Sequence, residues 1–322
     1  MLNIHESFAE DESNLVFTCR TANSKTLTNV LLRLGGSYSM RKDQRCSVEV
    51  TNESISFLVR GKSKSTEGRA SLQSALFDDY YCSCTTTINF SLNLTTVLDC
   101  LLLFGTSSDS TAIDITYNTS DATFKLSLED SGVLTICDIF TLADDDDDLY
   151  GEYDATNISS VTTPNDGPSI SNAKGQDVRP SGLLEYFRQY PELCQLILKS
   201  EILRETLQEL GDVSGTSGTG FISVTVIKES GLLQLSISGV VDSCDIEYPS
   251  SSPAFVYFRA NVDTLSFSYP LSAFQIGMKA ADIAKETYIR INEIGIMCIQ
   301  HQIETAEGKE TYMDFLLLSG AE

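Results

Sequence analysis

Between Phe90 and Gly105 the chain reads FSLNLTTVLDCLLLFG. Its apolar residues Leu94, Val97, Leu98, Leu101 and Leu102 fall at i, i+3, i+4, i+7 and i+8, one buried stripe on a helix. Asn93 stands where a side chain can cap the free N–H groups at the start, and Gly105 suits a left-handed residue past the end. A β-like run, 80–89, leads into this helix. Runs at 112–117, 123–128 and 133–140 follow it. The unit is a strand, a helix, then a string of antiparallel strands.

The same unit recurs. A strand at 14–20 is followed by a helix over 25–34, capped by Ser24, with Leu27, Val30, Leu31 and Leu34 on one face and Gly35-Gly36 ending it. Strands at 46–50 and 55–59 form a hairpin, 60–69 reads as a charged loop, and 72–77 is a further strand. Later, a strand at 193–199 precedes a helix over 201–210, capped by Ser200, with Ile202, Leu203, Leu207 and Leu210 buried and Gly211 closing it. A Gly/Ser/Thr loop at 213–220 leads to strands at 221–227, 232–238 and 244–248. The fourth round has strands at 254–261 and 264–268 and a helix over 271–283 that buries Phe274, Gly277, Met278 and Ala281. Strands at 287–292, 294–303 and 312–318 complete it. Four such rounds predict α+β domains in which each helix covers one face of an antiparallel sheet.

The stretch 142–183 breaks the pattern. It opens with five aspartates, 144–148, and continues through Ser, Thr, Asn, Pro and Gly without periodicity. Like-charge repulsion and scarce apolar residues predict a connector with a disordered insert. The expected organisation is a domain over 1–141, a connector over 142–192 and a domain over 193–322.

Charge changes the picture next. The net charge is -23, which opposes coating of nucleic acid by the outer surface but allows bases gathered on one inner face. The nine cysteines are dispersed through apolar runs, as expected of thiols in a reducing compartment. Cys82-x-Cys84 is the one close pair, and its spacing puts both on one face of a strand. Without a C-x-x-C, and with His5 and His301 as the two histidines, no metal set is visible and no cofactor is expected. No apolar run approaches about 18 residues and no basic-plus-apolar leader opens the chain, so a soluble intracellular protein is expected.

The repeated unit resembles the PCNA-like sliding clamps, which build each domain from two such units and turn the helices toward a central hole. ASLQSALFDDYYC at 70–82 is similar to that family's strand and small turn before the second helix. NLTTVLDCLLLFG, KSEILRETLQELG and LLQLSISGVVDSCDIEYPSS resemble the Rad-one-type subunits of the nine-one-one checkpoint clamp, and the match covers most of 14–140 and 193–319. The insert has no counterpart in a compact clamp.

The resemblance implies a non-catalytic subunit of a heterotrimeric DNA sliding clamp in the nucleus. Its partners would be two other PCNA-like subunits, an RFC-like clamp loader, double-stranded DNA through the ring, and checkpoint and repair proteins, with no membrane. Bases on the inner helices would then meet phosphates without reading sequence. The candidates are Lys25, Arg33, Arg204, Lys279 and Lys285, whereas the helix after Asn93 carries only Asp99. A solvated helix face accounts for the same residues. The densest basic region, Arg41, Lys42, Arg45, Arg60, Lys62, Lys64 and Arg69, reads as loop charge or as a contact to DNA or a loader.

Rings close through sheet edges. By the resemblance these edges are 111–118 and 244–248, so Thr111, Ile113, Ile115, Tyr117, Cys244, Ile246 and Tyr248 would meet neighbouring subunits. Asp114 at one edge and Asp245 and Glu247 at the other would disfavour self-pairing.

Two rivals stand beside the clamp. One is a 3'-5' exonuclease using the aspartate run, but two-metal chemistry needs carboxylates fixed by a rigid scaffold. The other is an interaction scaffold that never touches DNA. No G-x-S-x-G or P-loop is present, and the glycines of 215–220 precede no helix.

Overall fold

The structure, a computed structural model, describes residues 15–35, 44–61, 65–83, 86–105, 111–143, 182–205, 220–238, 243–305 and 308–320. The expectations for 1–13, Arg41, Lys42, Lys62, Lys64, Cys84, the aspartate run and insert to 181, Leu207, Leu210, Gly211 and the loop 213–219 lie outside the described residues. The chain divides into two compact units. The first is Met1–Val59, Arg69–Asp144 and Glu304–Tyr312; the second is Arg60–Gly68, Asp145–Ile303 and Met313–Glu322.

The first unit runs β1 (Leu15–Thr21), α1 (Lys25–Leu34), β2 (Arg45–Val50), β3 (Ser54–Arg60), β4 (Thr66–Gln73), β5 (Asp79–Cys82) and β6 (Ile88–Asn93). Then come α2 (Leu94–Leu101), β7 (Ala112–Asn118), β8 (Thr123–Asp130) and β9 (Val133–Phe140). One sheet has the order β5-β1-β7-β8-β9, and a second run is β4-β3-β2-β6. The two rounds interlock: β1 of the first pairs with β7 of the second, and β6 of the second pairs with β2 of the first.

The helix α2 forms as its pattern requires. The Asn93 side chain accepts the N–H groups of Thr95 and Thr96, at 3.0 and 3.4 Å, and Gly105 has φ of 82°. Leu94, Val97, Leu98 and Leu101 are buried, each contributing roughly 1.5–3 kcal/mol. Beyond them Phe90 stacks on Tyr117 at 4.0 Å and tilts against Phe124 at 5.8 Å. At α1 the cap differs from expectation. Ser24 is helical in backbone and gives its N–H to the Thr111 carbonyl, while the Asn23 side chain accepts the Lys25 N–H at 2.9 Å.

The second unit has α3 (Leu183–Gln189), β10 (Glu192–Lys199), a helix α4 described over 200–205, β11 (Phe221–Ile227), β12 (Leu232–Ser238) and β13 (Ser243–Pro249). It continues with β14 (Phe255–Ala260), β15 (Thr264–Pro270), α5 (Leu271–Gly277), β16 (Glu286–Asn292), β17 (Met297–Glu304) and β18 (Glu310–Leu317). Here β13-β12-β11-β15 form one sheet, and β14-β10-β16-β17-β18 are consecutive in the other. The interlock repeats, β10 with β16 and β11 with β15. The duplication therefore holds in strand pairing as well as in element order.

Several elements depart from the sequence pattern. Within the charged stretch 60–69, Arg60 ends β3 and 66–69 open β4, where the charges are matched: Arg60 Nε lies 3.6 Å from Glu67 Oε2 and Arg69 Nη1 lies 3.4 Å from Glu49 Oε2. The strand expected at 72–77 accordingly lies at Thr66–Gln73, followed by a 3-10 turn at Ser74–Leu76. The run 80–89 breaks into the end of β5 and the start of β6. The helix expected over 271–283 is α5 and then a 3-10 turn, Lys279–Asp282.

Helix α3 lies inside the expected connector, where the sequence pattern shows no helix. Leu183 and Phe187 pack on Ile296, Cys298 and Leu316, and the Glu67 carboxylate, 2% exposed, accepts the Leu183 N–H at 3.2 Å. No described helix is long and apolar enough to cross a membrane.

Candidate functional site: end strands and basic helix faces

The candidate bases sit on or beside helices. Lys25 is exposed at the first turn of α1 and Arg33 is half-exposed in its last turn, where a cation also favours the helix dipole. In the second unit, Arg204 is exposed on α4, Lys279 is half-exposed in the turn after α5, and Lys285 is exposed just before β16. The Lys285 carbonyl accepts the Ser200 N–H at 3.2 Å, which places Lys285 against the start of α4. Helix α2 lies beside α1 and shows solvent Asp99 rather than a base.

The backbone around Arg204, Lys279 and Lys285 is held by a buried polar chain. His301 Nε2 lies 2.8 Å from the Gly277 carbonyl oxygen, which can only accept, so Nε2 carries the proton. His301 Nδ1 then accepts from the Thr287 hydroxyl at 2.9 Å, and Thr287 accepts from Ser200 at 2.8 Å. All three side chains are fully buried, and burial pulls the imidazole down to about 4, so it is neutral. This chain ties the end of α5 and the start of α4 to the sheet. With every group enclosed, it is structural.

The sheet ends correct one expectation. Strand β7 is hydrogen-bonded on both sides, to β1 and β8, and is not an edge. Thr111, Ile113, Ile115 and Tyr117 are buried in the core accordingly. Asp114 is on this interior strand too, and Arg20 Nη1 approaches it at 3.7 Å; burial still raises its carboxyl above the usual range. The strand that ends this sheet beyond β8 is β9. Strand β13 does end its own sheet, with Cys244 and Ile246 half-buried and Tyr248 buried.

The residues missed by sequence reasoning are therefore on β9. Leu134, Ile136 and Phe140 are 54, 52 and 73% exposed, large values for apolar side chains. The signal was present: VLTICDIF is apolar at both odd and even positions, which a strand with one watery face would not be.

Three fully enclosed thiols are unreactive by placement. Burial pushes Cys46, Cys194 and Cys298 up to about 12. Among the described residues no cluster of three or more His, Cys, Asp or Glu side chains could hold a metal.

Interlocked helix-backed sheets of this kind define the PCNA-like sliding-clamp fold. The chain is similar to the crystal structure of a PCNA2–PCNA3 complex from Sulfolobus tokodaii, with a TM-score of 0.65 at 12% identity, over 95% of this chain and 100% of that one. The chain belongs to the Rad1 family: the family model "Repair protein Rad1/Rec1/Rad17" matches residues 16–303. It is 24% identical to the human cell cycle checkpoint protein RAD1 over 255 residues, 78% of this chain and 76% of that one. It is 29% identical to the DNA damage checkpoint control protein rad1 of Schizosaccharomyces pombe over 127 residues, 39% of this chain and 38% of that one. It is also 27% identical to the RAD1 homolog mrt-2 of Caenorhabditis elegans over 130 residues, 40% of this chain and 46% of that one.

Proposed function

We propose that this chain is one non-catalytic subunit of a heterotrimeric sliding clamp that encircles double-stranded DNA at damage sites in the nucleus. There it serves as a platform for checkpoint and repair proteins. The observation that carries this reading is a clamp fold in which one sheet ends in β5 and β9 and another in β13 and β15, with β9 and β13 each hydrogen-bonded on one side among the described residues. An uncovered sheet end is a liability that a neighbouring chain removes by adding its own strand. Cys244, Ile246 and Tyr248 take part at β13, and Leu134, Ile136 and Phe140 take the place that the sequence pattern gives to β7.

Lys25, Arg33, Arg204, Lys279 and Lys285 face the duplex as sparse phosphate contacts. They centre it without reading sequence. Clamp domains over 1–141 and 193–322, joined through 142–192, form the subunit. An external RFC-like ATPase opens the ring. The names of the relatives, checkpoint and repair proteins, support the setting.

The test mixes the purified chain with the other clamp-fold subunits of the same organism and runs the mixture on a sizing column, with and without nicked circular DNA and a loader. A three-subunit species that stays on circular DNA and slides off linear DNA is expected. A chain that elutes alone in every mixture would sink the ring reading. Labelled DNA with magnesium tests the exonuclease alternative: no degradation is expected from the purified ring.

A further inference from the structure

Resting on that ring reading, we infer that the outer faces of the two end strands select chemically unlike neighbours. Strand β13 takes an edge strand that carries Lys or Arg. The inference starts from which side chains point outward and what lies beside them.

On β13, Ser243, Asp245 and Glu247 are exposed and alternate with half-buried Cys244 and Ile246. Register places Ser236 opposite Asp245 and Gln234 opposite Glu247 on β12. One strand further, Ser223 and Thr225 stand opposite Ser236 and Gln234, and on β15 Ser268 and Ser266 complete the two rows. These hydroxyls bond one another, Ser223 to Ser268 and Thr225 to Ser266, both at 2.8 Å. The rows behind the carboxylates are therefore hydroxyl and amide from end to end, with no cation in them. Two like charges two residues apart share one face of an end strand. Once a neighbouring strand covers the open side, a cation for them must come from that neighbour.

Strand β9 presents the opposite chemistry. Its outward residues are Leu134, Ile136, Asp138 and Phe140. The one acid among them is matched inside the sheet, by Lys125 Nζ at 3.7 Å. The remaining three are apolar and well exposed.

A second copy of this chain is a poor neighbour for either end. Its β9 would lay Leu134, Ile136 and Phe140 against Asp245 and Glu247, stripping water from carboxylates without supplying a cation. A strand bearing bases opposite Asp245 and Glu247 meets both charges, and one bearing apolar residues meets β9. Because the two requirements differ, they also set the order of subunits around the ring.

The experiment uses the full chain with Asp245→Lys and Glu247→Lys together, titrated against each of the organism's other clamp-fold subunits purified singly. Both positions are exposed rim residues, and circular dichroism checks that the fold persists. Should the reversal unfold the chain, Asp245→Asn with Glu247→Gln gives the same readout.

The wild-type chain is expected to bind two different subunits, one of them more weakly as salt rises. The reversal should weaken that one by at least about tenfold and leave the other unchanged. Reversing the basic edge residues of the affected neighbour to acids should restore binding. Equal loss toward both subunits, or no loss toward either, overturns the inference while leaving the ring intact. A wild-type chain that binds no clamp subunit overturns the ring reading itself, and this inference with it.

Discussion

At the level of single residues, His301 is a group whose protonation opposes the fold. Its ordinary value is near 6.5, and burial brings it to about 4. Between these values the unfolded chain binds the proton and the folded chain does not, so stability falls as pH drops through that window. It is fully present above about 6.5. The whole effect is about 3 kcal/mol, complete below about pH 4. Urea midpoints at stepped pH should fall over this range, and His301→Gln should flatten that part of the profile.

Gly295 is a second sensitive point. It has φ of 78°, its carbonyl accepts the buried Tyr269 hydroxyl at 3.0 Å, and an added Cβ would stand 2.6 Å from Ser319 Oγ and 2.7 Å from Phe267. Gly295→Ala should therefore cost about 1–3 kcal/mol, read as a lowered thermal midpoint. The aromatic neighbour that makes this position intolerant of a methyl group could not be read from the sequence, because Phe267 lies 28 positions away.

At the level of elements, legibility follows how local the cause is. α2 could be read from sequence because its cap, its apolar stripe and its closing glycine lie within 93–105. Asn93→Ala should cost about 1 kcal/mol, measurable by chemical denaturation, by leaving the N–H groups of Thr95 and Thr96 without their acceptor. β4 was misread because its charges are cancelled by residues outside the stretch, as in the Arg69–Glu49 pair. α3 was missed because its seven residues hold too few turns for a periodic signal, and its Glu67 cap comes from more than a hundred positions earlier.

The exchange of β7 for β9 has a similar origin. Alternation shows that a strand has one buried face, but not how many neighbours it has. β7, with an apolar face and a polar one, is an interior strand. β9, apolar on both faces, ends its sheet. At an uncovered end, the second apolar face was the more informative sign.

For the whole molecule, under the clamp function proposed above, a net charge of -23 and five scattered candidate bases set the expected grip on DNA. Replacing Lys25, Arg33, Arg204, Lys279 and Lys285 with Gln should weaken salt-sensitive retention of the assembled ring on nicked circles. The slope of log K against log salt should fall by about 0.9 for each phosphate left without its cation. Subunit assembly, measured by sizing, should not change, because none of the five lies on β9 or β13.

The crosswise pairing of rounds bears on how the protein is made. Thr18 in β1 sits opposite Thr116 in β7, and the pairing of β10 with β16 is just as distant along the chain. A nascent chain leaving the ribosome can first pair this strand with β5, Thr18 opposite Tyr81, and must leave its other side without a mate until nearly a hundred further residues have been added. Such delayed long-range pairing is slow and prone to clumping. A polypeptide halted after β4 should be insoluble, and solubility should return only once β7 has emerged.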